Sequence, residues 1–213
     1  MVKVNDYSTV DDYLKQTSPD PATNPSAIVS QSLRDFYIRD RTDLMKLDVA
    51  LCDWGSASWI NNHLTEVIQP ILLRAPEVMI GAPWGPKADI WNLGAVILEV
   101  LDAVRLFNGR ANQTGGEYRV QHHLFKMVAL FGPFPHELLA QGDQVFVDKY
   151  FDERGRIRDP IPRPSPRLEN WIVSLTGEDK AEFVALLYAM LKIDPKCRPS
   201  AKELLSERWF QHE

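Results

Sequence analysis

The chain has 213 residues, of which 45% are hydrophobic and 25% are charged, and its formal net charge is −5. This is the composition of an ordinary globular protein, and the negative charge gives no reason to expect binding to nucleic acid or to an anionic membrane. The apolar run at residues 95–98 stops at Glu99, so it is too short to span a bilayer. Cys52 and Cys197 lie far apart without metal-ligand spacing, and acidic residues interrupt the N-terminal segment. We therefore expect free or buried thiols in a reducing compartment and a cytoplasmic or nuclear protein.

Residues 1–46 are the part of the sequence that least resembles a packed domain. Residues 10–14 could form one or two helical turns, and residues 17–26 are rich in Pro, Ser and Asn. Residues 40–46 are dense in charge. We predict an irregular spacer or linker over residues 1–46.

The following segment alternates in polarity, with Leu47, Val49 and Leu51 as its apolar positions. A period of two predicts a strand. The strand leads into DWG at residues 53–55, a carboxylate followed by a glycine with a permissive backbone, and RAPE follows at residues 74–77. Taken singly, the first motif is more often a turn than a metal site, and the second is usually a helix start.

Two long helices are predicted next along the chain. Residues 85–104 begin with a proline suited to a first helical turn and are apolar on nearly every side, which is typical of a buried helix. Residues 117–131 form the second helix, which ends at a Gly-Pro pair. Within it, the adjacent His122 and His123 are interpreted as surface and packing residues, because no third metal ligand is evident.

The C-terminal part predicts further helices and no strand. Residues 176–192 carry apolar residues on one face, and Thr176 and Asp179 have the spacing of a helix start. Ser200 and Glu203 have the same spacing at the start of the last helix. The predicted fold class is therefore mainly α.

Four motifs occur in a fixed order along residues 47–210: DWG at 53–55, RAPE at 74–77, ADIWNLG at 88–94 and IDPKCRPSA at 193–201. Together they resemble the start and end of a protein-kinase activation segment, the opening of the central C-lobe helix and the late D-P-x-x-R motif. The RAPE motif and residues 123–135 resemble the CMGC branch, and residues 63–69 resemble SR-protein kinases. The resemblance implies a kinase C-lobe part over residues 47–210, from activation segment to last helix. Residues 1–46 then resemble the spacer of fungal SR-protein-kinase-like enzymes.

The resemblance also implies roles for individual residues. Asp53 would bind magnesium, while Gly55 and Asp89 would be structural. Glu77 and Arg198 would form a structural ion pair, and breaking a buried pair of this kind costs roughly 3–5 kcal/mol. The residue after the phosphoacceptor would contact a substrate-binding set made of Ile71, Leu72, Leu73 and Arg74.

Several kinase motifs are missing from the 213 residues. The sequence contains no glycine-rich loop, no Val-Ala-x-Lys strand and no H-x-D-x-K-x-x-N catalytic loop. The predicted magnesium ligand Asp53 is therefore present without a catalytic base or a second metal ligand, and no catalytic residue is assigned. We expect a truncated kinase domain that lacks the N-lobe and the catalytic loop. ATP and Mg are the cofactors that the family implies, with weak or absent binding to this chain alone.

Three interpretations remain open. The chain could be the C-terminal part of a serine/threonine kinase that transfers the γ-phosphate of ATP to protein Ser or Thr. It could be a catalytically dead kinase remnant that acts as a protein-binding module, or an unrelated helical domain, which the ordered motifs disfavour. In the first two cases the partner is a protein substrate or binding partner, with Ser/Arg-rich proteins as one candidate class, and neither nucleic acid nor membrane.

Overall fold

The computed structural model describes residues 7–17, 49–110, 116–158 and 167–211. The chain divides into two compact units, Met1–Ala57 and Ser58–Glu213. In the first unit, helix α1 covers Tyr7–Thr17 and a short 3₁₀ helix covers Trp54–Ser56. Helix α1 is longer than the turns predicted at residues 10–14, and most of the predicted spacer lies outside the described residues.

The described part of the second unit is helical. Its α-helices, in chain order, are α2 (Pro76–Met79), α3 (Lys87–Asp102), α4 (Val120–Phe131), α5 (His136–Leu139), α6 (Gln144–Tyr150), α7 (Gly177–Met190) and α8 (Ala201–Leu204). Two 3₁₀ helices cover Leu168–Asn170 and Arg208–Phe210. The described residues contain no strand, only isolated bridges such as Phe151–Ile157. The mainly α fold class agrees with this helix content.

The core of the second unit lies where α3 packs against α7. A Cβ atom at Gly94 would lie 3.1 Å from Met190 Cβ and 3.2 Å from the Leu191 side chain, so the glycine allows the two helices to approach closely. The fully buried Trp91 of α3 stacks on Phe107, with ring centroids 5.5 Å apart. Aromatic rings of this size bury large apolar areas, so the stack anchors the core.

The strand predicted at residues 47–52 is wrong for the part that the structure describes. Val49 forms only an isolated bridge, and residues 50–52 have no regular secondary structure, while Leu47 lies outside the described residues. Val49 and Leu51 are 70% and 80% exposed, so the apolar alternation does not build a buried face here. A strand requires a neighbouring strand to pair its backbone groups, and alternation alone does not supply one.

Helix α3 is buried on one side rather than on nearly every side. Trp91 and Leu98 are completely buried, as the sequence predicted, but Leu93 and Val100 are exposed. The helix therefore presents a second apolar face that the described residues of the unit do not cover. None of the helices in the described ranges is long and apolar enough to cross a membrane.

The two predicted helix starts differ. At α8, the Ser200 hydroxyl accepts a hydrogen bond from the Glu203 N–H, and the Glu203 carboxylate accepts one from the Ser200 N–H at 2.7 Å. This is the reciprocal capping that the Ser-x-x-Glu spacing predicts. Thr176 precedes α7 at the expected position, but its side chain makes no capping bond, so that part of the prediction is wrong.

Candidate functional site

The predicted magnesium ligand Asp53 lies in the first unit, directly before the 3₁₀ helix Trp54–Ser56. Its backbone is left-handed, with φ 65° and ψ 57°, whereas Gly55 has no positive φ and does not use its conformational freedom. Both residues are exposed, and so is Trp54 between them. A left-handed non-glycine residue is uncommon and carries a local energetic cost.

The donor set around Asp53 does not fit a complete magnesium site. The described residues contain no group of three or more His, Cys, Asp or Glu side chains that could hold a metal ion. Mg²⁺ demands octahedral oxygen coordination and is commonly held by one or two carboxylates together with substrate phosphates. A single exposed carboxylate could complete such a site only with ligands from elsewhere.

In the second unit, the structure brings Glu77 and Arg198 together, the pair that the resemblance implied. Arg198 Nη1 lies 2.8 Å from Glu77 Oε1, and Arg198 Nη2 lies 3.0 Å from Glu77 Oε2, which makes a bidentate ion pair. Both side chains are completely buried. Paired charge-assisted bonds of this geometry are among the strongest in proteins.

The guanidinium of Arg198 also donates hydrogen bonds to backbone carbonyls of two segments. Nη1 donates to the Lys87 carbonyl at the start of α3. Nη2 and Nε both donate to the Lys192 carbonyl after α7, at 2.9 and 3.1 Å. The centre of the guanidinium lies 5.4 Å from the Trp91 ring. Arg198 therefore joins α2, α3 and the segment after α7 at one buried point.

The predicted substrate-binding residues lie in a loop, residues 68–75, that polar side chains hold in place. Gln69 Nε2 donates to the Ala88 carbonyl at 2.9 Å, and Gln69 Oε1 accepts from the Ala75 N–H at 2.9 Å. Arg74 donates to the carbonyls of Ile68 and Gln69, both at 3.0 Å. The loop is thus tied at both of its ends and to the start of α3.

Within this loop the four predicted residues have different surroundings. Leu73 is half-buried and packs against the core, and its carbonyl accepts from Asn92 Nδ2 at 3.4 Å. Ile71 is 41% exposed, and Leu72 is half-buried. The charged group of Arg74 is engaged by carbonyls of the loop itself. Ile71 is therefore the exposed side chain among the four, and Leu72 is partly accessible.

A second contact attaches the segment before this loop to the residues that precede α3. The His63 ring stacks on the Trp84 indole, with centroids 3.8 Å apart and planes at 10°. His63 Nδ1 lies 3.3 Å from the Glu66 carboxylate, and Trp84 Nε1 donates to the Glu66 carbonyl at 3.1 Å. Residues 63–66 are held by this cluster although their neighbours are exposed.

Asp89 lies in the first turn of α3, where a carboxylate favours the positive end of the helix dipole. The residue is exposed, and partial desolvation raises the pKa of its carboxyl above the ordinary value. Within the described residues, no hydrogen bond is donated to this carboxylate. It is next to Ala88, whose carbonyl binds Gln69, so it borders the loop at residues 68–75.

His123, interpreted from the sequence as a packing residue, is completely buried. Its ring stacks on Phe107 at 5.0 Å, and its Nδ1 lies 3.0 Å from the Tyr118 hydroxyl. Burial, with smaller contributions from Lys126 and Arg74, lowers the pKa of His123 to about 3. Burial also raises the pKa of Tyr118 to about 12, so both groups are neutral at physiological pH.

Sequence reasoning missed three residues that shape the loop, Gln69, Asn92 and Trp84. Gln69 gave one usable signal, since it precedes a proline at the end of the segment that resembles SR-protein kinases. Its left-handed backbone, with φ 66°, and its contacts with Ala75 and Ala88 could not be foreseen. The reason is that a glutamine has many possible partners, and only the folded chain selects among them.

Comparisons with known proteins agree with the order of motifs. Residues 40–210 match the family model of the protein kinase domain. A serine/threonine protein kinase of Aspergillus fumigatus is 39% identical over 160 residues, which is 75% of this chain and 39% of the relative. Serine/threonine-protein kinase SKY1 of Saccharomyces cerevisiae is 30% identical over 78% of this chain and 22% of its own length. SRSF protein kinase 3 of Mus musculus is 31% identical over 78% of this chain and 29% of its own length. The matched part of the chain therefore spans well under half of the length of each of these relatives.

Proposed function

The chain belongs to the protein kinase family and is similar to SR-protein kinases of the CMGC branch, and from this premise we propose that it is the C-terminal-lobe part of a serine/threonine kinase. In that role residues 47–210 form the lobe from activation segment to last helix, and residues 1–46 are the spacer that precedes it. The longer protein would transfer the γ-phosphate of ATP to Ser or Thr of a protein substrate. Its location would be the cytoplasm or the nucleus.

One observation supports this proposal most strongly. Glu77 of the RAPE motif and Arg198 of the late motif form a fully buried bidentate pair, although they are 121 residues apart in sequence. In the proposed role this pair holds the end of the activation segment against the core. The tethered loop at residues 68–75 then serves as the surface that receives the substrate.

The chain alone is proposed to be inactive. Protein kinases use ATP and Mg²⁺, but the donor set of the described residues does not complete a magnesium site, and the sequence carries no catalytic loop or ATP-clamping lysine. When bound, the metal nucleotide would supply the transferable phosphoryl group. The residues present would contribute Asp53 as one metal ligand and Ile71 and Leu72 as substrate contacts.

A second candidate function is a kinase remnant that binds a protein without chemistry. The observation that favours it is the exposed apolar surface between Trp59 and Ile71, which is unusual for a free-standing protein. Under either function the partner is a protein rather than a nucleic acid or a membrane. Ser/Arg-rich proteins are the finer proposal, and it rests on the resemblance to SR-protein kinases.

Reconstitution separates these two functions. The purified chain would be incubated with Mg-ATP and a Ser/Arg-rich peptide, alone and together with the part of the Aspergillus fumigatus relative that precedes the matched residues. We expect no transfer by the chain alone and transfer by the mixture, because the missing groups act as a unit with those present. Asp53→Ala should abolish that transfer, while Asp11→Ala, at an exposed carboxylate of α1, should leave it unchanged.

Two results would overturn the proposal. Association of the two parts without any transfer would favour the binding module over the kinase. Transfer by the chain alone that Asp53→Ala abolishes would contradict its proposed inactivity.

A further inference from the structure

The dipeptide Asn108–Gly109 lies in the irregular segment between α3 and α4, and the sequence contains no other Asn-Gly pair. The Asn108 side chain folds back along the chain, because its Oδ1 accepts a hydrogen bond from the Arg110 N–H at 3.2 Å. Asn108 is half-buried and Arg110 is exposed, while Gly109 between them is buried. The Asn108 carboxamide is therefore held beside the backbone nitrogen of a residue that has no side chain of its own.

The two polar backbone groups of Gly109 have different surroundings. Its carbonyl accepts a hydrogen bond from the Arg119 N–H at 2.7 Å. Its N–H donates to none of the described residues, so removal of its proton breaks no hydrogen bond within that part of the chain. The Gly109 nitrogen is therefore available as a nucleophile toward the Asn108 carboxamide.

This arrangement fits spontaneous deamidation, in which water is consumed and hydroxide is the catalyst. Hydroxide takes the proton of the Gly109 N–H, and the nitrogen attacks Cγ of Asn108 to form a new C–N bond. The negative charge moves to Oδ1, where the Arg110 N–H already donates and stabilises an oxyanion. The Cγ–Nδ2 bond then breaks, and the nitrogen leaves as ammonia, taking a proton from water and regenerating hydroxide. Water hydrolyses the remaining cyclic succinimide to aspartate or isoaspartate.

The two products differ in their effect on a tight contact between Gly109 and Tyr118. A Cβ atom on Gly109, whose φ is 59°, would collide with Cδ2 and Cε2 of the Tyr118 ring. Aspartate at position 108 keeps the length of the main chain, whereas isoaspartate routes the main chain through the side-chain methylene and adds a carbon atom to it. The longer link shifts Gly109 relative to Tyr118, in a contact that leaves no room for a methyl group.

We propose that Asn108 is a deamidation site of the folded chain and that its isoaspartyl form releases Tyr118 from Gly109. The Tyr118 hydroxyl lies 3.0 Å from Nδ1 of the buried His123, whose Nε2 has no partner among the described residues. Without Tyr118 the His123 ring would keep no hydrogen bond, and an unpaired buried polar group is costly. The isoaspartyl form therefore loosens the start of α4. This inference is independent of the proposed function, which assigns no role to Asn108 or Gly109.

Ageing of the full 213-residue chain tests the site. The chain would be incubated at physiological temperature and mildly alkaline pH, both folded and in urea. Mass spectrometry of its tryptic peptides and an isoaspartate methyltransferase assay would follow the reaction. In the folded chain we expect Asn108 to react roughly tenfold faster than Asn170, a difference of about 1.4 kcal/mol in activation free energy. Asn170 is exposed but precedes the bulky Trp171, so it is the internal control. Asn108→Gln should remove most of the reaction, because glutamine would have to close a larger ring.

His123 reports the release of Tyr118. Chromatography would separate the unmodified and isoaspartyl chains, and NMR would follow the His123 imidazole resonances as the pH is changed. In the unmodified chain, burial holds the pKa of His123 at about 3. In the isoaspartyl chain this pKa should rise toward the ordinary 6.5, because the ring gains access to water. Asn108→Asp is the matched control: it adds the same negative charge without lengthening the main chain, so its His123 titration should match that of the unmodified chain.

Three results would overturn this inference. Reaction at Asn108 in urea but not in the folded chain would show that the fold protects the dipeptide. An unchanged His123 titration in the isoaspartyl chain would show that Tyr118 stays in place. An equal shift in Asn108→Asp would assign the effect to the added charge and not to the longer main chain.

Discussion

Two neighbouring stretches of the second unit differ sharply in the burial of their side chains. All six residues of Ala75–Ile80 are buried, including the charged Glu77. The preceding stretch from Trp59 to Ile71 exposes five large apolar side chains. The boundary between the two stretches lies within the turn that ends at Arg74.

The difference shows which interactions fix each stretch. Ala75–Ile80 is held by the apolar core and by a single buried guanidinium, so its position depends on α3 and α7. Residues 63–74 are held by hydrogen bonds from Gln69 and Arg74 and by the His63–Trp84 stack. Bonds of this kind are individually modest in free energy, so this stretch should open more easily than the core.

The largest loss of stability should come from Arg198→Met. The variant leaves the Glu77 carboxylate buried without its partner, and such a loss costs roughly 3–5 kcal/mol in the free energy of unfolding. Urea unfolding measures it. Arg105→Met is the matched control, because the Arg105–Glu99 pair is similarly short at 2.7 Å but largely exposed to solvent, so that its loss should destabilise the chain far less. Equal losses in the two variants would show that burial of the Glu77–Arg198 pair does not matter.

Gln69→Ala should cause the next largest loss of stability, and the loss should be confined to the exposed stretch at residues 59–73. The substitution leaves the buried Ala75 N–H and the Ala88 carbonyl without their partner, which costs about 2 kcal/mol. Limited proteolysis should then cut within residues 59–73 before the core unfolds. Gln141→Ala, which removes a local bond on the surface of α5, is the control and should leave the cleavage pattern unchanged. If cleavage is unchanged in both variants, the exposed stretch is held by something other than Gln69.

We expect the free energy of unfolding to depend on pH through His123, which is buried in the core. Burial holds its pKa at about 3, below the ordinary 6.5, so the unfolded chain binds a proton that the folded chain does not. Stability is therefore complete above about pH 6.5 and falls as the pH drops toward 3, by about 1–2 kcal/mol between pH 7 and pH 5. His123→Phe should remove this loss in urea titrations at several pH values. His63→Phe, at the stack of the exposed stretch, should keep it, and the reverse pattern would refute the assignment.

The sequence predicted the helices well but not every contact that gives the site its form. The positions of α3, α4 and α7 follow from long amphipathic or apolar periodicity, which is a property of neighbouring residues. The predicted strand is absent over the described residues 49–52, because strand pairing requires a partner elsewhere in the chain. Gln69, Asn92 and Trp84 were missed for the same reason, since each contacts a segment 18 or 19 residues distant.

The sequence by itself determined the family and the order of its parts. The reason is that motif order and spacing can be seen without the fold, here at residues 53–55, 74–77, 88–94 and 193–201. It also paired Glu77 with Arg198. Only the tertiary structure decided that Arg74 bonds its own loop, that Leu73 packs against the core and that Ile71 stays exposed. The physical reason is that side-chain direction depends on backbone turns and on distant hydrogen-bond partners, which a local pattern does not encode.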